Sequence, residues 1–216
     1  MIKGCIFDLD GTIVDSLEDL CEATNYALSL NGLPAKPLEN YNHYVGDGVR
    51  KLVERALEDH QELLEPCLKE FYDYYSKHCF DKTKTYPGIK TLIQELNNEN
   101  YQLSVVTNKP HMIAKKIVTA LFPQCFVSVY GNQPLYPTKP DPRSTLLALQ
   151  DMGIEKEECV FIGDSNVDIR TGCNAHMKTI GCLWGFRDEK ELQEAGASAI
   201  AHEAKEIRRI IDDWNK

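Results

Sequence analysis

Two aspartates, Asp8 and Asp10, stand two positions apart at the end of an apolar run near the start of the chain. Alternate residues of a β-strand point to the same side, so a strand that ends here would release both carboxylates as a pair. Two close like charges are unfavourable unless they share a cation or one of them is protonated. The pair therefore indicates a metal site, general acid–base chemistry, or both.

Further polar groups follow apolar segments later in the chain. Thr107 and Asn108 close one such run, and both side chains can donate hydrogen bonds to an anion. Lys139 lies among three prolines, which stiffen the segment and reduce the entropy lost when the ammonium binds a phosphate. Asp164 follows another apolar run, and Asp168 falls one turn later if a helix begins there.

These groups fit the ends of predicted strands. Five apolar runs predict strands that are buried on both faces, at residues 4–9, 102–107, 126–130, 159–163 and 178–183. Apolar residues at helical spacing lie between several of these runs and again near the C-terminus, which predicts a parallel α/β sheet. Such sheets bind ligands beyond the carboxyl ends of their strands, so we expect the polar groups to converge there. A small set of oxygen ligands favours Mg²⁺.

The alternation of strands and helices is interrupted once. After position 15, about seventy residues contain helical patterns, such as the apolar series at positions 17, 20, 21, 24 and 28, but no convincing strand. The segment Tyr86-Pro87-Gly88 marks the return to alternation. The sequence therefore predicts an α/β core formed by residues 1–15 and 86–216, with residues 16–85 as an inserted α-helical domain.

The composition of the chain argues against several classes of binding partner. The 216 residues carry a net charge of −9, and no basic stripe is present, which argues against binding of nucleic acid. No apolar run approaches the roughly 20 residues that span a bilayer, and no leader-like segment precedes the first strand. Eight scattered cysteines without a C-x-x-C pair indicate free thiols in a reducing compartment. We expect a cytoplasmic protein without a membrane partner.

The four motifs resemble those of the haloacid dehalogenase superfamily of phosphotransferases. Residues 8–12 resemble its first motif, Thr107 and Asn108 its second, Lys139 its third and residues 163–168 its fourth. The resemblance covers the whole chain. It implies a Rossmann-like core, in which the α-helical insertion after the first motif is similar to the first-type cap of that family.

The same resemblance implies a role for each residue. Asp8 would be the nucleophile that forms an aspartyl-phosphate. Asp10 would protonate the leaving alkoxide and later deprotonate the water that opens this intermediate. Thr107, Asn108 and Lys139 would bind the phosphate. The ligands of Mg²⁺ would be Asp8, the backbone carbonyl of Asp10, Asp164 and Asp168.

Within the superfamily, the nearest likeness is to the phosphoglycolate phosphatase group, and residues 44–53 carry it. Gly46 and Gly48 precede a predicted helix, where backbone N–H groups can bind an anion. Arg50 either pairs with a substrate carboxylate or stays solvated as an ordinary helix residue. Asp47 stands where that group often has asparagine, and a second acidic group there is less suited to a carboxylate.

The expected function is Mg²⁺-dependent hydrolysis of a small phosphorylated metabolite, 2-phosphoglycolate, by a monomer or homodimer. A pyrophosphatase or a sugar-phosphate phosphatase with the same core is the first alternative. A phosphomutase would return the phosphoryl group to a sugar, so formation of an isomer separates it from a phosphatase. A non-catalytic regulatory protein is a further alternative, although it would need no acid at position 10.

Overall fold

A six-stranded parallel sheet forms the centre of the computed structural model, which describes residues 1–216. The order of its strands is β5-β4-β1-β6-β7-β8, while β2 and β3 pair separately and antiparallel. The predicted α/β fold is therefore confirmed. The strands are β1 (Gly4–Phe7), β2 (Val14–Asp15), β3 (Lys84–Thr85), β4 (Gln102–Pro110), β5 (Ser128–Asn132), β6 (Cys159–Gly163), β7 (Lys178–Cys182) and β8 (Ala199–Ala201).

Ten α-helices accompany the strands, and four of them lie between β2 and β3. None of the helices is both long enough and apolar enough to cross a membrane. The helices are α1 (Leu17–Leu30), α2 (Tyr41–Tyr44), α3 (Val49–Leu57), α4 (Leu64–His78), α5 (Ile89–Asn98), α6 (His111–Leu121), α7 (Arg143–Met152), α8 (Asn166–Asn174), α9 (Glu189–Glu194) and α10 (Ala204–Trp214).

Helices cover both faces of the sheet. Phe7 of β1 belongs to the larger apolar cluster, together with Ile93 of α5 and Ile207 of α10. Its neighbour Ile6 belongs to a second cluster that includes Ala148 of α7. Because successive side chains of a strand point to opposite faces, β1 contributes to both clusters and is buried throughout.

The four inserted helices leave and rejoin the rest of the chain at the β2–β3 ladder, in which Val14 pairs with Thr85. Asp19, which is buried in the first turn of α1, fastens this junction. Its carboxylate accepts hydrogen bonds from the backbone N–H groups of Lys82 and Thr83, at 3.0 and 2.8 Å, and from the Thr83 hydroxyl at 2.6 Å. The first and last turns of the insertion are thereby held together.

The elements differ from the predicted ones in two places that matter. Strand β4 continues to Pro110, three residues beyond the predicted end at Thr107. Strand β8 was not predicted, since its three residues, Ala199–Ala201, carry only one β-branched side chain. The first difference bears on the site, because it places Asn108 and Lys109 within the strand.

Candidate active site

Three carboxylates meet at the carboxyl edge of the sheet. Asp8 follows β1, Asp164 follows β6, and Asp168 lies in the first turn of α8. All three residues are buried, and one oxygen from each lies within 4.8 Å of the others. Strands β1 and β6 are direct neighbours, and Asp8 donates its backbone N–H to the Ile162 carbonyl at 2.9 Å. The pairing of the strands thus brings two of the carboxylates together.

Helix capping fixes the third carboxylate. Ser165 is the N-cap of α8, and its hydroxyl accepts a hydrogen bond from the Asp168 backbone N–H. In return, Asp168 Oδ2 accepts from the Ser165 backbone N–H at 3.0 Å and from its hydroxyl at 2.7 Å. This capping box satisfies the free donors of the helix end and holds the Asp168 side chain in one orientation.

Lys139 lies within this acidic cluster and is itself buried. Its ammonium is 2.5 Å from Asp168 Oδ1 and 2.7 Å from Asp8 Oδ1. The contact with Asp8 lacks the angles of a hydrogen bond, so Asp8 Oδ1 is a buried oxygen that accepts none. Burial by itself lowers the pKa of Lys139, but the two neighbouring carboxylates raise it above its ordinary value. The lysine is therefore charged.

Crowding raises the pKa values of the carboxylates, whereas a favourable ion pair would lower them. Burial, followed by the charge of Asp168, raises the pKa of Asp8 to about 7, although Lys139 opposes the shift. Burial and the charges of Asp168 and Asp8 also raise the pKa of Asp164 above its ordinary value. One ammonium does not compensate three buried carboxylates, so the cluster has a deficit of positive charge.

A pH dependence of stability follows for the metal-free protein. The unfolded Asp8 side chain loses its proton near pH 4, whereas the folded one keeps it to about pH 7. Between these values the folded state binds more protons, so the free energy of unfolding falls as the pH rises. We expect urea denaturation in EDTA to give a lower stability at pH 8 than at pH 5.5. Asp8→Asn should flatten this difference, and an unchanged slope in that variant would contradict the assignment.

The carboxylate of Asp10 points to a different set of partners. Its Oδ1 lies 2.8 Å from the Lys109 ammonium and accepts a hydrogen bond from the Ser16 hydroxyl. The Lys109 side chain is only 1 % exposed and also donates to the hydroxyl of Tyr75 on α4. Asp10 is thus held at the boundary between the sheet and the inserted helices, apart from the three clustered carboxylates.

Lys109 was not predicted as a site residue. The predicted strand ends at Thr107, which leaves Lys109 outside it. A signal was present nonetheless, because residues two apart in a strand share a side. Extending β4 by two positions would have placed Lys109 on the same side as Thr107.

Thr107 and Asn108 both reach the site, but the Asn108 side chain has other partners. Its Oδ1 accepts from the Lys139 backbone N–H at 2.8 Å, and its Nδ2 donates to the Lys139 and Gly46 carbonyls at 3.3 and 3.2 Å. The amide is therefore engaged with backbone groups. It links the segment that carries Lys139 to the inserted helices.

A cavity lies between the sheet edge and the inserted helices. Polar groups line it from the sheet side, and mainly apolar groups line it from the inserted side. The sheet side contributes Asp8, Asp10, Thr107, Asn108, Lys109 and Pro110, and the inserted side contributes Leu20, Val45, Gly46, Gly48, Val49 and Leu52. One end of a bound molecule would meet charged groups and the other a narrow apolar wall.

The structure places only part of the segment predicted to contact substrate beside the cavity. Gly46 and Gly48 line the cavity, and both have positive φ angles, 121° and 89°, which favour glycine. They belong to residues 45–48, which we call the cap loop. Arg50 does not line the cavity. Its side chain is exposed and pairs with Glu65 of α4 at 2.7 Å.

Three glycines leave room for the carboxylates. A Cβ atom at Gly11 or Gly185 would lie less than 3.0 Å from atoms of the Asp164 side chain. A Cβ atom at Gly163 would lie as close to Asp168. The site therefore depends on the absence of side chains at these positions.

The cluster fits a hard divalent cation. Its donors are carboxylate oxygens, which Mg²⁺ prefers, and Asp8 Oδ1 accepts no hydrogen bond. A divalent cation would also supply positive charge, which opposes the upward pKa shifts that burial and the neighbouring carboxylates cause at Asp8 and Asp164. The Asp10 side chain is directed to Lys109 instead, which leaves only its backbone carbonyl for the ion.

A parallel sheet that carries a nucleophile-like aspartate, a second aspartate two residues later and a buried lysine defines a class of hydrolase. The chain belongs to the haloacid dehalogenase-like hydrolases, since the model of that family matches residues 5–182. The superfamily resemblance is therefore confirmed.

Two relatives and one solved structure are similar to this chain over most of its length. The chain is 35% identical over 199 residues to a phosphoglycolate phosphatase of Psychrobacter arcticus, covering 88% of this chain and 86% of that one. It is 30% identical over 215 residues to an N-acetylmuramic acid 6-phosphate phosphatase of Pseudomonas aeruginosa, covering 98% and 95%. A predicted phosphoglycolate phosphatase of Haemophilus somnus has a similar crystal structure, with a TM-score of 0.90, 27% identity and coverage of 97% and 98%.

Proposed function

We propose that this hydrolase is a Mg²⁺-dependent phosphatase of small phosphomonoesters and that 2-phosphoglycolate is its substrate. The observation that carries the reaction type is the position of Asp8, which lines the cavity and whose Oδ1 lies 2.7 Å from the buried Lys139 ammonium. The substrate is supported by the similarity to phosphoglycolate phosphatases over most of both chains.

The proposed reaction has two displacements at phosphorus. An oxygen of Asp8 attacks, a bond forms between that oxygen and phosphorus, and the bond to the leaving oxygen breaks as Asp10 transfers a proton to it. Asp10 then takes a proton from water, the water oxygen attacks the same phosphorus, and inorganic phosphate leaves as Asp8 is regenerated. Thr107 and Lys139 hold the transferring oxygens in place. Mg²⁺ at the three clustered carboxylates would supply positive charge against the phosphoryl group.

The architecture supports an assignment of parts. We propose that residues 16–85 act as a cap over a core of residues 1–15 and 86–216, because the cavity lies between them. We further propose that the enzyme works in the cytoplasm as a monomer or homodimer. Support for a reducing compartment comes from the eight cysteines, all of which are free and six of which are buried.

A phosphate-release assay tests the function. Purified protein with Mg²⁺ is expected to hydrolyse 2-phosphoglycolate with a higher kcat/KM than sugar 6-phosphates, pyrophosphate or 4-nitrophenyl phosphate. The 30% identity to an N-acetylmuramic acid 6-phosphate phosphatase makes a sugar phosphate the second candidate. A preference for that class would replace the substrate proposed here, whereas isomer formation without phosphate release would indicate a mutase.

Metal dependence is a separate expectation. Activity should be lost in excess EDTA and return with Mg²⁺ but not with Ca²⁺. Calcium takes about six to eight ligands at longer distances, so it would misplace the attacking Asp8. Initial rates in a titration of each ion into metal-free enzyme provide the measurement. Full activity in EDTA would contradict the cofactor proposal.

Arg50→Ala is expected to leave kcat/KM for 2-phosphoglycolate unchanged within about threefold. The side chain is exposed and its partner Glu65 is more exposed still, and such surface pairs contribute little. 4-Nitrophenyl phosphate, which has no carboxylate, serves as the control substrate. A loss of kcat/KM confined to 2-phosphoglycolate would indicate that Arg50 does contact the substrate carboxylate.

A further inference from the structure

Arg187 connects the loop after β7 with the inserted helices, although the two lie about 140 residues apart in sequence. Its guanidinium donates to the Asn42 carbonyl and, at 2.8 Å, to the Val45 carbonyl. Glu191 pairs with the same guanidinium at 3.3 Å. The side chain is only 13 % exposed, so these contacts are largely shielded from water.

The two carbonyls that Arg187 contacts belong to Asn42, within the single turn of α2, and to Val45, the first residue of the cap loop. The last carbonyls of a helix lack partners within the helix, and a planar guanidinium can satisfy two of them. The next residues along the chain are Gly46 and Gly48, which line the cavity. Arg187 therefore contacts the backbone immediately before the glycines that line the cavity.

The loop that carries Arg187 is itself tied to the acidic cluster. Phe186 donates its backbone N–H to Asp164 Oδ2 at 2.9 Å. Trp184 donates its indole N–H to the Thr12 carbonyl at 2.9 Å, and the Thr12 hydroxyl donates to Asp164 Oδ1 at 2.8 Å. The segment 184–187 thus runs from the reacting centre to the cap loop, and it is anchored at both ends.

Other polar contacts hold the same region. Arg55 donates to the His43 and Tyr44 carbonyls, at 3.2 and 2.9 Å, and pairs with Asp47 of the cap loop, but it lies on α3 and so belongs to the inserted helices themselves. From the sheet side, Asn108 gives the Gly46 carbonyl a single amide hydrogen bond of 3.2 Å. Arg187 is a charged donor from outside the insertion that contacts two carbonyls, and charged donors form the stronger hydrogen bonds.

We propose that Arg187 is a positioning residue that holds the cap loop over the phosphoryl site and so sets the fit of the leaving group. It touches neither Asp8 nor the cavity, and it acts through the backbone of residues 42–45. The role in substrate fit rests on the proposed phosphatase function. The role in fixing the cap loop does not.

Amide hydrogen exchange measured by mass spectrometry tests the structural part without substrate or metal. Peptides that cover residues 41–49 are expected to exchange about tenfold faster in Arg187→Ala than in the wild type, because their local opening loses two hydrogen bonds. Peptides from α5 and α6 should keep their rates. The control is Arg209→Ala on α10, which removes an exposed arginine outside any ion pair. Unchanged exchange at 41–49, or an equal increase throughout the chain, would overturn the proposal.

Kinetics tests the part that concerns substrate. Arg187→Ala is expected to raise KM for 2-phosphoglycolate about tenfold with kcat changed less than about threefold, since the reacting groups stay in place. For 4-nitrophenyl phosphate, whose leaving group lacks the glycolate that the cap loop would fit, kcat/KM should fall less than about threefold. Equal losses on both substrates would overturn the role in leaving-group fit.

A lysine variant separates geometry from charge. Arg187→Lys keeps the positive charge but loses the planar fork, so it should show most of the alanine defect in both measurements. Complete rescue by lysine would overturn the requirement for two carbonyl contacts. Should the wild type hydrolyse no phosphomonoester at all, the proposed function fails, while the exchange experiment still decides the role of Arg187.

Discussion

Asp8→Asn should abolish turnover, by roughly 10⁴-fold or more, in a protein that remains folded. The amide has the size of the carboxylate but is a poor nucleophile toward phosphorus. Removing one charge from the crowded cluster should also stabilise the metal-free fold, because burial and Asp168 oppose ionisation of Asp8. Phosphate release and thermal unfolding in EDTA measure the two effects.

A matched variant and a trapping experiment complete this test. Asp59→Asn makes the same chemical change at an exposed position in the turn after α3 and should leave activity as it is. After rapid acid quenching during turnover, the wild type should carry the mass of one phosphoryl group on the peptide that contains Asp8. Near-normal turnover by Asp8→Asn would refute the covalent route.

The second large effect is expected at Asp10. A general acid–base group contributes roughly 10²- to 10⁴-fold to each step it assists, and Asp10 is proposed to assist both. Asp10→Asn should therefore slow formation of the intermediate from 2-phosphoglycolate much more than from 4-nitrophenyl phosphate. Breakdown of the intermediate should be slowed equally for both, since the same aspartyl-phosphate is hydrolysed.

Single-turnover kinetics with the two substrates resolves these steps. The structure adds a second variant, since the Lys109 ammonium and the Ser16 hydroxyl hold the Asp10 carboxylate. Ser16→Ala removes one of these contacts and should give a smaller defect with the same dependence on the leaving group. If Asp10→Asn slows formation equally for good and poor leaving groups, Asp10 is not the acid.

Most of the sheet could be predicted because β1, β4, β6 and β7 are almost wholly buried, whereas β5 is largely half-buried and lies two residues later than the predicted run at 126–130. The predicted strand at 159–163 coincides with β6, and the one at 178–183 is one residue longer than β7. Strand β8 escaped because its residues are mostly alanine, and pairing with β7 rather than propensity makes them a strand.

The convergence of the acidic residues was predictable from strand ends alone, since topology brings the carboxyl ends of parallel strands to one edge. Contacts between the sheet and the inserted helices were not predictable in this way. Lys109 meets Tyr75, and Arg187 meets Val45, across long stretches of sequence. Neither pair follows a spacing rule. The sequence made Arg50 a candidate because of its charge and position. Its contact with Glu65 depends on the packing of α3 against α4, which the sequence pattern does not predict.

The three glycines packed against the carboxylates show that the site depends on empty space as well as on charge. Gly11, Gly163 and Gly185 come from three separate segments, and each leaves no room for a methyl group beside Asp164 or Asp168. Anyone grafting this centre onto another parallel sheet would have to transfer those empty positions together with the charged ones. A graft that carried the reacting groups alone would leave side chains at the positions of these glycines, and those side chains would clash with Asp164 or Asp168. The smallest transferable unit is thus a set of side chains and the space reserved around them.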